Sequence, residues 1–253
     1  MKKREYATVV EQREIAAGIY SMWLQTEQIA EAAVAGQFLS IYSRDESRML
    51  PRPISICELD RKKGSVRIVY RVAGKGTEEF SRMKAGEKLP VLGPLGNGFP
   101  LKKKKAILMG GGIGIPPMVQ LAKELDGEVQ IIAGYRDELF LTEELERYGR
   151  LLIATEDGSA GTRGNVLDAV RENGVTGELI YACGPLSMLR AVKEYASRRG
   201  MECYLSMEER MACGIGACLA CVCRSAETDS HTHVHNKRVC KDGPVFLSTE
   251  VEL

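Results

Sequence analysis

Cys213, Cys218 and Cys221 follow one another at x4 and x2 spacing, and Cys240 supplies a fourth thiol further on. Four thiolates are the donor set of an iron–sulfur cluster or of a structural zinc ion. The x4, x2 interval is that of plant-type [2Fe–2S] proteins, whereas zinc more often takes two Cys-x2-Cys knuckles. Gly214 and Gly216 fall inside the loop, where the backbone has to wrap closely around inorganic sulfides and turn its N–H groups toward them. Cys223 alternates away from Cys221 and is expected to be a spare buried thiol. His231, His233 and His235 are all the histidines of the chain and would share one face of a strand. Without a carboxylate or cysteine beside them, they are expected in a solvated hairpin between the third and fourth cysteine ligands. A Rieske centre needs two His ligands on one iron, which four cysteines make unnecessary.

Two further groups of residues could hold phosphates. Gly110-Gly111-Gly112-Ile113-Gly114-Ile115-Pro116-Pro117 lies between a strand and a helix, where glycines let the backbone approach a pyrophosphate at a helix N-terminus. Any tight strand-to-helix junction could use the same glycines. Arg52-Pro53-Ile54-Ser55, with Tyr70-Arg71 and Gly74-Lys75-Gly76-Thr77, offers a guanidinium, a hydroxyl beside a rigid proline and a Gly-Thr helix start. No Ser-His-Asp constellation is evident, so hydrolytic chemistry is not indicated.

The elements that must position these residues fall into three textures. Residues 1–101 read as short strands with Gly and Pro turns: 7–13, 19–26, 38–43, 54–59, 66–72 and 88–91. That pattern is expected to close into an antiparallel β-barrel. Residues 102–211 alternate strand and helix: strands 106–109, 129–133, 151–154 and 179–182 with helices 116–125, 142–148, 166–172 and 186–199, then a strand at 203–206. This rhythm predicts a doubly wound parallel sheet, with ligands beyond the carboxyl ends of its strands. Residues 212–253 follow neither rhythm and form a segment too small for much core of its own without a metal or disulfide.

The chain has 253 residues with a formal charge of +1, 44% hydrophobic and 27% charged, which is the balance of a globular protein. Disorder is excluded, and no global field favours nucleic acid. The apolar stretch from Ala106 to Ala122 is broken by glycines and prolines, so no membrane span is expected. The start of the chain is too short in apolar residues for a secretion signal, so a cytoplasmic location with reduced thiols is expected.

Taken together, Arg52-Pro53-Ile54-Ser55, Gly111-Gly112-Ile113-Gly114-Ile115-Pro116-Pro117 and Cys183-Gly184-Pro185 resemble the ferredoxin–NADP reductase superfamily. The appended cysteine segment, with Gly93-Pro94-Leu95-Gly96-Asn97-Gly98-Phe99, narrows this. The chain is similar over essentially its whole length to the electron-transfer subunits of dihydroorotate dehydrogenase B. Ala35-Gly36-Gln37-Phe38 and Thr155-Glu156-Asp157-Gly158 stand where that family more often has Pro-Gly-Gln-Phe and T-D-D-G.

The resemblance implies that Arg52, Pro53, Ile54, Ser55, Val69, Tyr70, Arg71, Gly76 and Thr77 contact FAD. It implies that Gly111, Gly112, Gly114, Cys183 and Gly184 serve NAD, and that Cys213, Cys218, Cys221 and Cys240 hold the [2Fe–2S] cluster. It also implies a partner, the FMN-containing catalytic subunit, in a heterotetramer of two of each, acting in de novo synthesis of pyrimidine nucleotides (UMP). Nicotinamide moves electrons as a hydride and a [2Fe–2S] centre one at a time, so a flavin between them is chemically required. The alternatives are an NAD(P)H-oxidising subunit of a hydrogenase or transhydrogenase complex, and a non-enzymatic iron–sulfur module. Tyr135-Arg136-Asp137 offers both a cation for a 2′-phosphate and a carboxylate for ribose, leaving NAD against NADP to the resemblance.

Overall fold

The structure is a computed structural model and describes residues 2–45, 47–228 and 233–253. Strands β1 (Lys3–Ala16), β2 (Ile19–Gln25), β3 (Phe38–Ile41), β4 (Arg52–Asp60), β5 (Ser65–Arg71) and β6 (Lys88–Leu95) close into an antiparallel barrel in the order β1-β2-β5-β4-β3-β6. Met22, Leu24, Leu39, Ile41, Ile56, Ile68 and Leu89 fill its interior. Helices α1 (Glu27–Ala32) and α2 (Lys75–Ser81) are short, under two turns each, on this frame. The sequence of β5 alternates only partly because the strand is buried on both faces, from Ser65 to Tyr70. One face fills the barrel and the other meets the second, α/β half of the chain.

That second half is a sheet of β7 (Ala106–Gly111), β8 (Val129–Tyr135), β9 (Arg150–Thr155), β10 (Thr162–Arg163), β11 (Leu179–Cys183) and β12 (Glu202–Ser206), all parallel. Helices α3 (Pro116–Glu124) and α4 (Thr142–Glu146) lie on the barrel side, where Met118 and Leu145 pack in one apolar cluster with Val69 and Phe99. Helices α5 (Val166–Glu172) and α6 (Leu186–Arg198) cover the other face. The strand order reverses between β7 and β11, which is where such a sheet opens a crevice for a ligand. No helix among the described residues is long and apolar enough to cross a membrane.

The cysteine-rich segment forms a hairpin, β13 (Val222–Arg224) with β14 (Asn236–Arg238), and then β15 (Val245–Leu247). β15 adds antiparallel to β12, so the sheet is seven-stranded and mixed, where the sequence reads as purely parallel. Three residues are too few for a period to show. The segment finds its core by borrowing: Cys221, Cys223, Cys240 and Phe246 belong to one buried cluster with Met109, Ile180 and Leu205 of the sheet.

Candidate functional site

The cluster loop is built on backbone turns that few side chains tolerate. Gly214 and Gly216 have φ of 66° and 88°, and a methyl group on Gly216 would meet the Lys241 side chain at 2.8 Å. Leu219 adopts φ of 59°, a left-handed conformation that costs a non-glycine residue strain. These turns aim backbone donors at sulfur: the N–H groups of Ile215 and Ala217 point at Cys213 Sγ, at 3.4 and 3.3 Å.

The β13–β14 register sets Val222 opposite Arg238 and so brings Cys221 alongside Cys240. Val239 N donates to Cys221 O at 3.0 Å and Cys240 N to Cys221 Sγ at 3.4 Å. The long stretch between the third and fourth cysteines is therefore spent in a hairpin that returns the chain to its start. Arg238 donates to Gly216 O at 3.0 Å and joins the hairpin to the loop.

The four thiols lie as two contacting pairs, Cys213 with Cys218 and Cys221 with Cys240. Among the described residues no three metal-ligating side chains close on one point. Burial raises the Cys213 thiol, but hydrogen bonds from Ile215, Cys218 and Ala217 outweigh it and bring it down to about 6. Burial and the Cys221 sulfur push Cys240 up to about 12. An all-thiol set, one member of it stabilised as thiolate by aimed backbone N–H groups, fits a [2Fe–2S] cluster.

Cys223 is buried in the core as expected of a spare thiol. His235 has both ring nitrogens engaged within the hairpin, by Ser225 O at 3.2 Å and Thr228 Oγ1 at 2.9 Å, and His233 is exposed. His231 lies outside the described residues.

Beside the loop is a cavity of about 330 Å³. Arg52, Pro53, Ile54 and Ser55 of β4, Val69, Tyr70 and Arg71 of β5, and Thr77 of α2 line it together. Gly76 lines the adjoining cleft, and a methyl group there would fall 2.2 Å from Arg52 Nε, so a bare backbone is what admits the guanidinium. Thr77 Oγ1 accepts from Ala73 N at 2.9 Å and fixes the start of α2. An apolar slot ending in a cation, a hydroxyl and a helix start fits the ring system and diphosphate of FAD.

The remaining wall comes from Ser206, Met207, Glu208, Glu209 and Met211, which run from the end of β12 into Cys213, and from Pro244. This stretch carries no motif that sequence reading singles out. Glu208 is exposed where it lines the cavity; burial raises the Cys183 thiol, and the Glu208 charge reaches it and raises it further.

A second cavity of about 410 Å³ lies at the carboxyl ends of β7 and β8. Gly111 and Gly112 line it, with Tyr135, Arg136, Glu156, Asn165 and Met188. Gly112 has φ of 52° and open space where a side chain would be, as a backbone that approaches a diphosphate requires. Arg71 borders both cavities. Gly114, Cys183 and Gly184 do not line this cavity. A methyl group on Gly114 would meet Cys183 O at 2.3 Å, so this glycine lets the turn after β7 pack on the end of β11.

The sequence profile described as the iron–sulfur cluster binding domain of dihydroorotate dehydrogenase B matches residues 208–252. A dihydroorotate dehydrogenase B (NAD(+)) electron transfer subunit from Listeria monocytogenes serotype 4a is 44% identical, covering 97% of both chains. One of the same description from Geobacillus thermodenitrificans is 42% identical over 99% of both. A solved NADH-dependent reduced ferredoxin–NADP oxidoreductase, described for flavin-based electron bifurcation, superposes with a TM-score of 0.88 at 28% identity. It covers 98% of this chain and 90% of its own. A cytochrome P450 reductase from Amycolatopsis, at 24% identity and TM-score 0.66, shares the fold over 79% of this chain and 67% of its own.

Proposed function

The chain belongs to the family of electron-transfer subunits of NAD-dependent dihydroorotate dehydrogenase B, and from that premise we infer how its three sites divide the work. Electrons taken from dihydroorotate on a catalytic partner reach NAD through a [2Fe–2S] cluster and FAD held by this chain. FAD, when bound, exchanges a hydride with nicotinamide and single electrons with the cluster.

The observation that carries this reading is continuity: Ser206, Met207, Glu208, Glu209 and Met211 wall the cavity that would take the flavin, and the same stretch leads directly into Cys213. Arg52 and Thr77 would bind the flavin diphosphate, and Ser55, Val69 and Tyr70 would hold its ring system. Gly111 and Gly112 would admit the dinucleotide, and Arg71 would neutralise charge between the two cavities. Cys213, Cys218, Cys221 and Cys240 would ligate the cluster. Gly114, Cys183 and Gly184 would act behind the nucleotide cavity, shaping the junction of β7 and β11. The boundaries at 101/102 and 211/212 would separate flavin, nucleotide and cluster functions, with β15 tying the third to the second.

The partner would be an FMN-containing catalytic subunit, joined as two of each chain, in the cytoplasm. Relatives matching nearly end to end favour this over a hydrogenase-type or transhydrogenase-type partner. The test is anaerobic purification with and without the partner, followed by absorption and EPR spectra before and after NADH. We expect FAD bleaching and a rhombic [2Fe–2S] signal from this chain, and NAD-linked dihydroorotate oxidation only when both are present. A colourless zinc protein, or full activity of the lone chain, overturns the reading.

A further inference from the structure

Ser40 lies in β3, paired with Pro53 of the flavin-lining strand β4 on one side and with Leu92 of β6 on the other. It is fully buried, and its hydroxyl oxygen has no hydrogen-bond partner among the described residues. Leaving a buried hydroxyl unpaired is unfavourable, so such a group calls for an acceptor.

Its surroundings say where that acceptor is. A methyl group on Gly214 would lie 2.6 Å from Ser40 Oγ, and the next contact is the apolar Leu95 Cδ1 at 3.3 Å from the same point. The hydroxyl thus sits under the cluster loop at the residue after Cys213, with no cysteine sulfur of the described residues within hydrogen-bond distance, so the acceptor this loop would bring to it is a sulfur of the bound cluster. We propose that Ser40 donates a hydrogen bond to a sulfur of the [2Fe–2S] cluster and thereby holds its reduction potential up. The proposal rests on the assignment of the cluster to Cys213, Cys218, Cys221 and Cys240.

The sign follows from charge. Reduction adds an electron, which concentrates on iron and sulfur, so a donor aimed at sulfur stabilises the reduced form more than the oxidised one. Ser40 is a positioning residue in this sense, acting on the cluster without exchanging electrons itself. Its place on the strand between β4 and the loop makes the barrel wall a shared support for flavin and cluster.

The test is an EPR-monitored redox titration of the full chain, with its cofactors and in complex with its partner. For Ser40→Ala we expect the ratio of reduced to oxidised cluster at a fixed potential to fall about tenfold, equivalent to 59 mV for one electron. Iron and flavin contents should stay at the level of the parent protein. Because the change could also loosen the packing and expel the cluster, Ser40→Thr and Ser40→Val form a second pair of similar shape that differs in the hydroxyl. The threonine protein should keep the higher potential. An unchanged potential in Ser40→Ala, or equal potentials in the threonine and valine proteins, overturns the hydrogen bond. Absence of a [2Fe–2S] signal in the reduced parent protein would instead overturn the cluster assignment, and the proposal with it.

Discussion

Cys213 and Cys240 sit at opposite ends of the thiol range, although both belong to the same loop-and-hairpin unit. Aimed N–H groups overcome burial and bring Cys213 down to about 6, whereas burial and a neighbouring sulfur lift Cys240 to about 12. Burial lifts Cys57 and Cys203 to about 12 as well. Thiolate, not thiol, is the form that reacts with alkylating agents. In iron-depleted protein at neutral pH, Cys213 should therefore be carboxamidomethylated by iodoacetamide well before Cys57 or Cys203. Its labelling should rise as pH passes upward through about 6. Peptide mass spectrometry at short times reads this out, and simultaneous labelling of the three sites contradicts it. At this scale the four cysteines that would hold the cluster stand out in the sequence, because cysteine spacing is a chemical constraint that needs no fold to be recognised. Ser40 and Glu208 are not legible, since a lone serine in a strand and a glutamate in a run of polar residues acquire meaning when the loop and cavity close around them.

Elements explain why a segment with little core of its own holds its shape. Asn97, from the turn after β6, donates its side-chain N–H groups to Val245 O at 2.8 Å and Asp242 O at 3.2 Å, and its Oδ1 accepts from Val245 N at 3.0 Å. Its backbone N–H donates to Gly243 O at 2.7 Å. One barrel residue thus staples the start of β15 and the chain just after Cys240. Three side-chain hydrogen bonds at about 0.5–1.5 kcal/mol each predict that Asn97→Ala loses roughly 2–3 kcal/mol, and the loss should fall first on the cluster segment. Hydrogen exchange should rise in β13–β15 before it rises in the barrel, together with faster iron release; uniform exchange across the chain would count against the staple. Asn97 enters the sequence reading only within the Gly93–Phe99 run that supports the family resemblance, with no role of its own, and β15 with its three residues leaves no periodic signal. The longer strands and helices of both halves are legible because apolar residues recur at the right interval over five or more positions, as in β7, β8 and β11. What local sequence does not carry is a long-range partner, and the contacts from Asn97 and β15 are of that kind.

For the molecule as a whole, the two cavities are useful together when the barrel and the sheet keep a fixed relation, and a charge network centred on the buried Arg67 between them does this. Arg67 of β5 is 4% exposed; its Nε donates to Ser21 Oγ at 2.8 Å and its Nη2 to Glu144 Oε1 of α4 at 3.0 Å. Glu58 of β4 lies 3.6 Å from its Nη1 and pairs with Lys123 of α3 at 3.0 Å. Arg71, four residues along the same strand, borders both cavities, so tilting β5 against α3 and α4 would move one site relative to the other. Removing one partner of a buried pair leaves an uncompensated charge, so Arg67→Met should destabilise the protein by about 3–5 kcal/mol. Glu58 retains Lys123, so the stranded charge is chiefly that of Glu144. Adding Glu144→Leu should then recover part of the loss, and the two changes should be strongly non-additive in chemical denaturation. The double variant restores packing but not the directional link across the interface. Flavin reduction by NADH, followed by stopped flow, should accordingly remain slower than in the parent protein even where FAD content is equal. Additive losses, or a double variant that reduces flavin at the parental rate, would mean that apolar contacts between Val69, Phe99 and α3 suffice to hold the two halves in register.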